Sequence, residues 1–249
     1  MSSTTLSFFL IFIIIILIAG SVFYLSSIKN RFEIRKYSSI LNLRKSIGLS
    51  IEHGKGLHIS LGKSDLNNIH GAASLVALET LNQIIDQSIL SDNPPVTTAG
   101  SGDLTLLAQS KHQNVLIDKS SSTSDFHSHA YLSGATNLSY IAGGIPPSSD
   151  EDLSTQIFVG NIGPEIGLLL DANQKKNHFS LAATDSLEGQ SVSYAFSDDA
   201  LLGEELFAIP AQLSNNSIFK VSLLIQDLLR WLVIVIILFV IFFKLVGLL

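Results

Sequence analysis

Gly56-Leu57-His58-Ile59-Ser60-Leu61-Gly62 (GLHISLG, 56–62) alternates apolar and polar side chains between two glycines, the period-two signature of a β-strand. Upstream of it, Ile40, Leu43, Ile47 and Ile51 recur at spacings of three and four. That spacing predicts a helix over 26–53, broken at most once, with Gly54 as its C-terminal stop. Downstream, Leu75, Leu78, Leu81 and Ile85 share one side of a helix predicted over 71–90. The cycle then repeats. Strands are predicted at 95–99, 115–117, 130–132, 155–160 and 178–183, with a weaker pattern at 191–196. Helices are predicted at 103–110, 137–142, 164–175 and 201–212, while the Ser-rich 120–124 and the Pro- and acid-rich 146–152 read as loops. Strands alternating with helices imply an α/β domain over 55–215, with a mostly parallel sheet and helices on both faces, a Rossmann-like arrangement.

The ends of the chain have a different composition. Residues 6–25 run for twenty positions without a charge, and 231–249 for nineteen with Lys244 alone. At 1.5 Å per residue a twenty-residue helix reaches about 30 Å, the hydrocarbon thickness of a bilayer. Both segments therefore read as transmembrane helices. Met1 to Thr5 lacks the positive charge of a secretory leader, which argues against cleavage of the first. Lys29, Arg31, Arg35, Lys36, Arg44 and Lys45 follow the first segment, and Lys220 and Arg230 precede the second. By the positive-inside rule the middle of the chain is expected in the cytoplasm and both termini on the far side. The intervening pieces read as a basic juxtamembrane helix (26–54) and an interfacial helix (216–230).

Charge is segregated along the 249 residues. The stretch 29–63 carries a balance of +6 and 64–219 a balance of −14, within a net −6. The basic collar suits an anionic leaflet, with about 1 kcal/mol for each base near the surface. The acidic body disfavours nucleic acid and other polyphosphates. Charged residues make up only 14%, against about 25% in soluble domains. There is no cysteine, which excludes disulfides, thiolate metal sites and cysteine nucleophiles.

Two glycine-bearing turns follow strands where an α/β sheet would hold a ligand. They are Thr97-Thr98-Ala99-Gly100-Ser101-Gly102-Asp103 and Val159-Gly160-Asn161-Ile162-Gly163-Pro164-Glu165. If the domain has a ligand cleft, its residues are Thr97, Thr98, Gly100, Gly102, Gly160 and Gly163. Neither turn matches a phosphate-loop or dinucleotide pattern. Each helix that follows also opens on a carboxylate, Asp103 as an N-cap and Glu165 behind Pro164, which occupies the positive end of the helix dipole. Structural turns are the plainer reading, and no cofactor is expected. His127 and His129 with Asp125 lack the partners of a metal motif, His58 reads as the polar side of its strand, and no metal is expected. No G-x-S-x-G elbow is present, and Glu204 and Glu205, adjacent on a predicted helix, diverge by about 100°, so no catalytic residue is assigned. Asp227 and Arg230, three apart, are expected to pair with each other.

The motifs GLHISLG (56–62), PVTTAG (95–100), VGNIGPE (159–165) and GEELFA (203–208), between two apolar segments, resemble an uncharacterised family of bacterial membrane proteins. The resemblance implies a cytoplasmic α/β domain between an N-terminal and a C-terminal span, in a bacterial inner membrane, and brings no catalytic residue with it. The expected function is that of a non-enzymatic two-span protein whose α/β domain is an assembly or scaffolding module. Its expected partners are the lipid bilayer and further copies of the chain or other membrane subunits. The alternative is a membrane-tethered ligand-binding or enzymatic domain.

Overall fold

A computed structural model describes residues 35–88, 93–118, 129–148, 150–214 and 217–245. The proposed first span, the 120–124 loop, Asp125 and His127 lie outside these residues. Residue contacts divide the chain into a unit spanning Lys36–Ser214 and a remainder that contains the last helix.

Among the described residues the Lys36–Ser214 unit alternates helix and strand from its start. Helix α1 (Ser38–Glu52) leads into β1 (Gly56–Ser60), then α2 (Gly71–Gln87), β2 (Val96–Ala99), α3 (Gly102–Asp118) and β3 (Ala130–Leu132). The second half runs α4 (Asn137–Ser148), β4 (Leu153–Gly160), α5 (Ile166–Gln174), β5 (Phe179–Thr184), α6 (Leu187–Phe196) and β6 (Asp199–Leu202). A 3-10 turn, Gly203–Phe207, and the short α7 (Ala208–Leu213) close the unit, and α8 (Ser217–Leu245) follows it. All six strands are parallel, in the order β3-β2-β1-β4-β5-β6. This is the 3-2-1-4-5-6 order of doubly wound α/β folds, and it reverses between β1 and β4.

Burial explains why the sheet holds. Strand β4 is buried at every position but Ser154, so both of its faces are covered. Helix α2 packs against α3 and α7, and α7 against α1, whereas α4 packs on α5 and α5 on α6. The second group closes a core of Tyr140, Ile141, Phe158, Ile162, Ile166, Leu169, Leu170 and Ala182. Truncating a leucine in such a core to alanine costs about 2–5 kcal/mol. The ends of the unit are tied together: the Arg44 guanidinium donates to the carbonyls of Gln212 (3.3 Å) and Leu213 (2.9 Å), and Gln212 Oε1 accepts from the Tyr37 N–H (3.2 Å).

Several sequence expectations are corrected. Residues 115–117 are not a strand but the end of α3, and 191–196 lie in α6 rather than in a strand. Helix α4 continues through Pro146 and Pro147 to Ser148, where a loop was expected, because Gly144, Pro147 and Ser148 are buried against the body. The expected helix at 201–212 is broken up. Residues 201–202 belong to β6, paired with β5, and Gly203, at a φ of +58°, turns the chain into the 3-10 segment.

Helix α8 runs unbroken over 29 residues, about 43 Å at 1.5 Å per residue, with no division at 230. Within it Arg230 pairs with Asp227 at 3.7 Å, as expected. Side chains at several positions from 235 onward are outside the described set, and among the described residues no helix is long and apolar enough to cross a membrane.

Candidate functional site

In a doubly wound sheet the loops after β1 and β4 part at the point where the strand order reverses, and ligands settle there. Here the two loops meet. Lys63 N–H donates to the Asn161 carbonyl (3.0 Å), continuing the β1–β4 pairing beyond the strand ends, and Gly100 N–H donates to the Gly62 carbonyl (2.8 Å). The glycines are what permit this approach. A Cβ at Gly62, where φ is +78°, would sit 2.8 Å from the Asn161 backbone, and one at Gly100 would sit 2.6 Å from Lys63 Cβ. Gly160, at φ +127°, faces the Leu61 carbonyl at a distance that leaves no room for a side chain.

Side chains close the same point. The Lys63 ammonium pairs with Glu165 and donates to Asn137 Oδ1 (2.6 Å). The Glu165 carboxylate lies where a Cβ on Gly163 would project. Beneath them the Tyr140 hydroxyl meets Ser60 Oγ, which accepts from Thr98 Oγ1 (3.1 Å), and Thr98 Oγ1 in turn meets His58 Nε2 (3.0 Å). Burial pushes the Tyr140 phenol up to about 12 and the His58 imidazole down to about 4, the latter against a smaller upward push from Gln156. His58 is therefore a buried neutral imidazole packed edge-on to Phe158, rather than the wet side of a strand.

The six candidate cleft residues are only partly brought together. Gly100, Gly160 and Gly163 surround the Lys63 loop. Thr97 and Thr98, neighbours on a strand, point to opposite faces: Thr97 Oγ1 meets His112 Nε2 (2.9 Å) while Thr98 joins the His58 chain. Gly102 opens α3 on the exposed side with nothing near its Cβ direction. Asp103 is not the expected N-cap, and Glu165, expected as the second helical residue, stands at the N-cap position with no side-chain bond to the helix. Asp103 lies inside α3, and its Oδ2 accepts from the Leu66 N–H (2.7 Å), pinning the β1–α2 loop. Partial burial raises the Asp103 pKa, yet hydrogen bonds, those from Leu66 and Leu104 among them, hold it below the ordinary carboxylate range. Glu165 precedes α5 and turns towards Lys63 instead of the helix amides. Glu205 sits in the 3-10 turn and accepts from the Leu202 N–H (3.3 Å).

One pair at this edge has no counterpart in the sequence reading. His70, just before α2, meets Asp185 Oδ2 through Nδ1 (2.6 Å), and Asn161 Nδ2 donates to the other carboxylate oxygen (2.7 Å). The His70 side chain is 45% exposed. A carboxylate on Nδ1 favours the tautomer that leaves Nε2 as a base. Its signal in the sequence is positional: both residues stand in loops after strands, β1 and β5. Among the described residues no group of three or more His, Asp or Glu is placed to hold a metal ion.

Strand order, two layers of helices and the loop contacts at the reversal define a doubly wound, all-parallel α/β domain. The chain belongs to a family described as a domain of unknown function, DUF6754, which matches residues 1–249. No curated protein and no solved structure matches it.

Proposed function

We propose that the chain is a non-enzymatic, two-span membrane protein whose cytoplasmic α/β domain is an assembly module. The observation that carries this reading is the closed strand-order reversal. The Lys63 and Asn161 backbones bond to each other where a ligand would enter, and Glu165 neutralises Lys63. Glycines that a ligand-binding fold uses for close approach to a phosphate are used here for close approach to the chain itself. The two apolar ends and the basic collar support a place at the inner face of a bacterial membrane, with the acidic body beside it. Thermal-shift titration of the full chain with nucleotides and small organic acids tests the non-catalytic part. Flat melting curves are expected, since a ligand at a hundred times its Kd would add about 3 kcal/mol of apparent stability.

His70 and Asp185 favour a second reading, a membrane-tethered ligand-binding or enzymatic domain. An exposed imidazole oriented by a carboxylate is suited to proton abstraction. Under that reading some ligand raises the melting temperature of the wild type and not of His70→Gln.

A further inference from the structure

Helix α1 lays Ile40, Leu43, Ile47 and Ser50 on the body. At about 100° per residue, the direction opposite that buried face belongs to Lys45, with Leu41 and Leu49 one turn to either side of it and both exposed. Exposed leucines occur on both helix layers and do not set α1 apart. Charge does. Among the described helices of the Lys36–Ser214 unit, α1 alone has more bases than acids, Arg44 and Lys45 against Glu52 at its last position. Helices α2, α3, α5 and α6 each carry more acid than base. Lys36 precedes α1 and Lys55 follows it, next to a body with a balance of −14 over 64–219. Among the described residues Lys63, Lys175 and Lys176 each have a carboxylate partner, and Lys36 and Lys45 have none.

We infer that the outer face of α1 rests on the headgroups of an anionic lipid leaflet. The inference rests on the two-span reading above and adds the surface that meets the lipid. The Tyr37 bond to Gln212 and the Arg44 bonds to Gln212 and Leu213 put the first turns of α1 where the chain leaves the unit in both directions. Only 26–35 separate the unit from the first apolar segment, and only 215–216 separate it from α8, so two anchored ends hold α1 within reach of the leaflet. A lysine between two leucines suits that boundary, because the leucines reach past the phosphates while the ammonium stays among them. The rest of the body is repelled by the same leaflet, which leaves the α1 side as the one it accepts. Glu52, the one acid in α1, stands at the end of the helix away from Tyr37. A nucleic acid would use the lysines and leave Leu41 and Leu49 in water.

The chain has no cysteine, so one bimane-labelled cysteine reports on one site. Full-length protein carrying Leu41→Cys, Leu49→Cys or, as a control on α5, Leu168→Cys is reconstituted in phosphatidylcholine vesicles with or without phosphatidylglycerol, with nitroxide-bearing lipid as quencher. With phosphatidylglycerol present, quenching at the two α1 sites is expected to exceed that at Leu168→Cys by about threefold. Lys45→Glu in the Leu49→Cys protein, or phosphatidylcholine alone, is expected to reduce it by about half, with an unchanged melting temperature. Quenching that is equal at the three sites, or strongest at Leu168→Cys, overturns the surface and leaves the two-span reading intact. Quenching on α1 that ignores both phosphatidylglycerol and Lys45→Glu overturns anionic headgroups as the partner. Labels on α1 that are shielded from aqueous iodide yet unquenched by lipid identify a protein segment as the occupant and overturn the inference. Protein that alkaline carbonate washes off the vesicles overturns the two-span reading and the inference with it.

Discussion

Lys63 in the loop after β1 and Glu165 in the turn after β4 form an ion pair across 102 residues of sequence, with Asn137 as a third partner. The pair bridges the two loops at the point where the strand order reverses. It is largely shielded, since the two side chains are 21% and 9% exposed. Removing one member strands the other in a site with little water. Lys63→Met or Glu165→Leu alone should therefore cost about 2 kcal/mol, and the double variant clearly less than their sum. Thermal or chemical unfolding of the four proteins measures the coupling. Strict additivity would mean that the pair contributes nothing.

Gly160 and Gly54 both sit at positive φ, with different surroundings. Nothing lies within 4 Å of a Cβ at Gly54, whereas one at Gly160 runs into the Leu61 carbonyl. Gly54→Ala should cost about 1 kcal/mol, the backbone preference alone. Gly160→Ala must also push the β1 and β4 loops apart, and at least about 3 kcal/mol is expected. Equal losses at the two positions would show that the loops are not held in contact.

Acid should destabilise the domain in a defined window. The His58 and His112 imidazoles are both pushed down to about 4, by burial first and, for His112, by the nearby His129 as well. Between the ordinary value near 6.5 and 4, the unfolded chain takes up protons that the folded chain does not. Stability therefore falls as pH drops through that range and levels off below it. His58→Gln removes one of the two titrations. Its loss between pH 7 and pH 4 should be smaller than that of the wild type by on the order of 2 kcal/mol, read from melting temperatures at matched pH. Parallel curves would contradict a neutral buried His58.

The strands β1, β2, β4 and β5 were legible because their residues alternate or run apolar, with glycine at the ends of β1, β2 and β4 as further punctuation. Helix α2 was legible because its buried face is mostly aliphatic. Helix α3 was legible only over its first half, 103–110, and the reason is chemical: its inward residues include Thr105 and His112 beside Leu104 and Ala108, so the apolar period is broken by polar residues that the fold satisfies. Helix α6 buries Gly189 and Ser193 and exposes Leu187 and Tyr194, which inverts the usual pattern. Local spacing had no access to Lys63–Glu165 or His70–Asp185, because both pairs join loops more than a hundred residues apart that only the strand order brings to one edge. The two glycine motifs do lie where strands end and helices begin, with Gly160 closing β4 and Gly102 opening α3. What fills the space between them was not legible.

The proposal that the acidic body assembles with its own kind is tested most directly by the mass of the full chain after gentle solubilisation, with the bound detergent or lipid accounted for by light scattering. A discrete species of two or more chains at micromolar concentration is expected. A clean single-chain mass for the wild type at that concentration would contradict it.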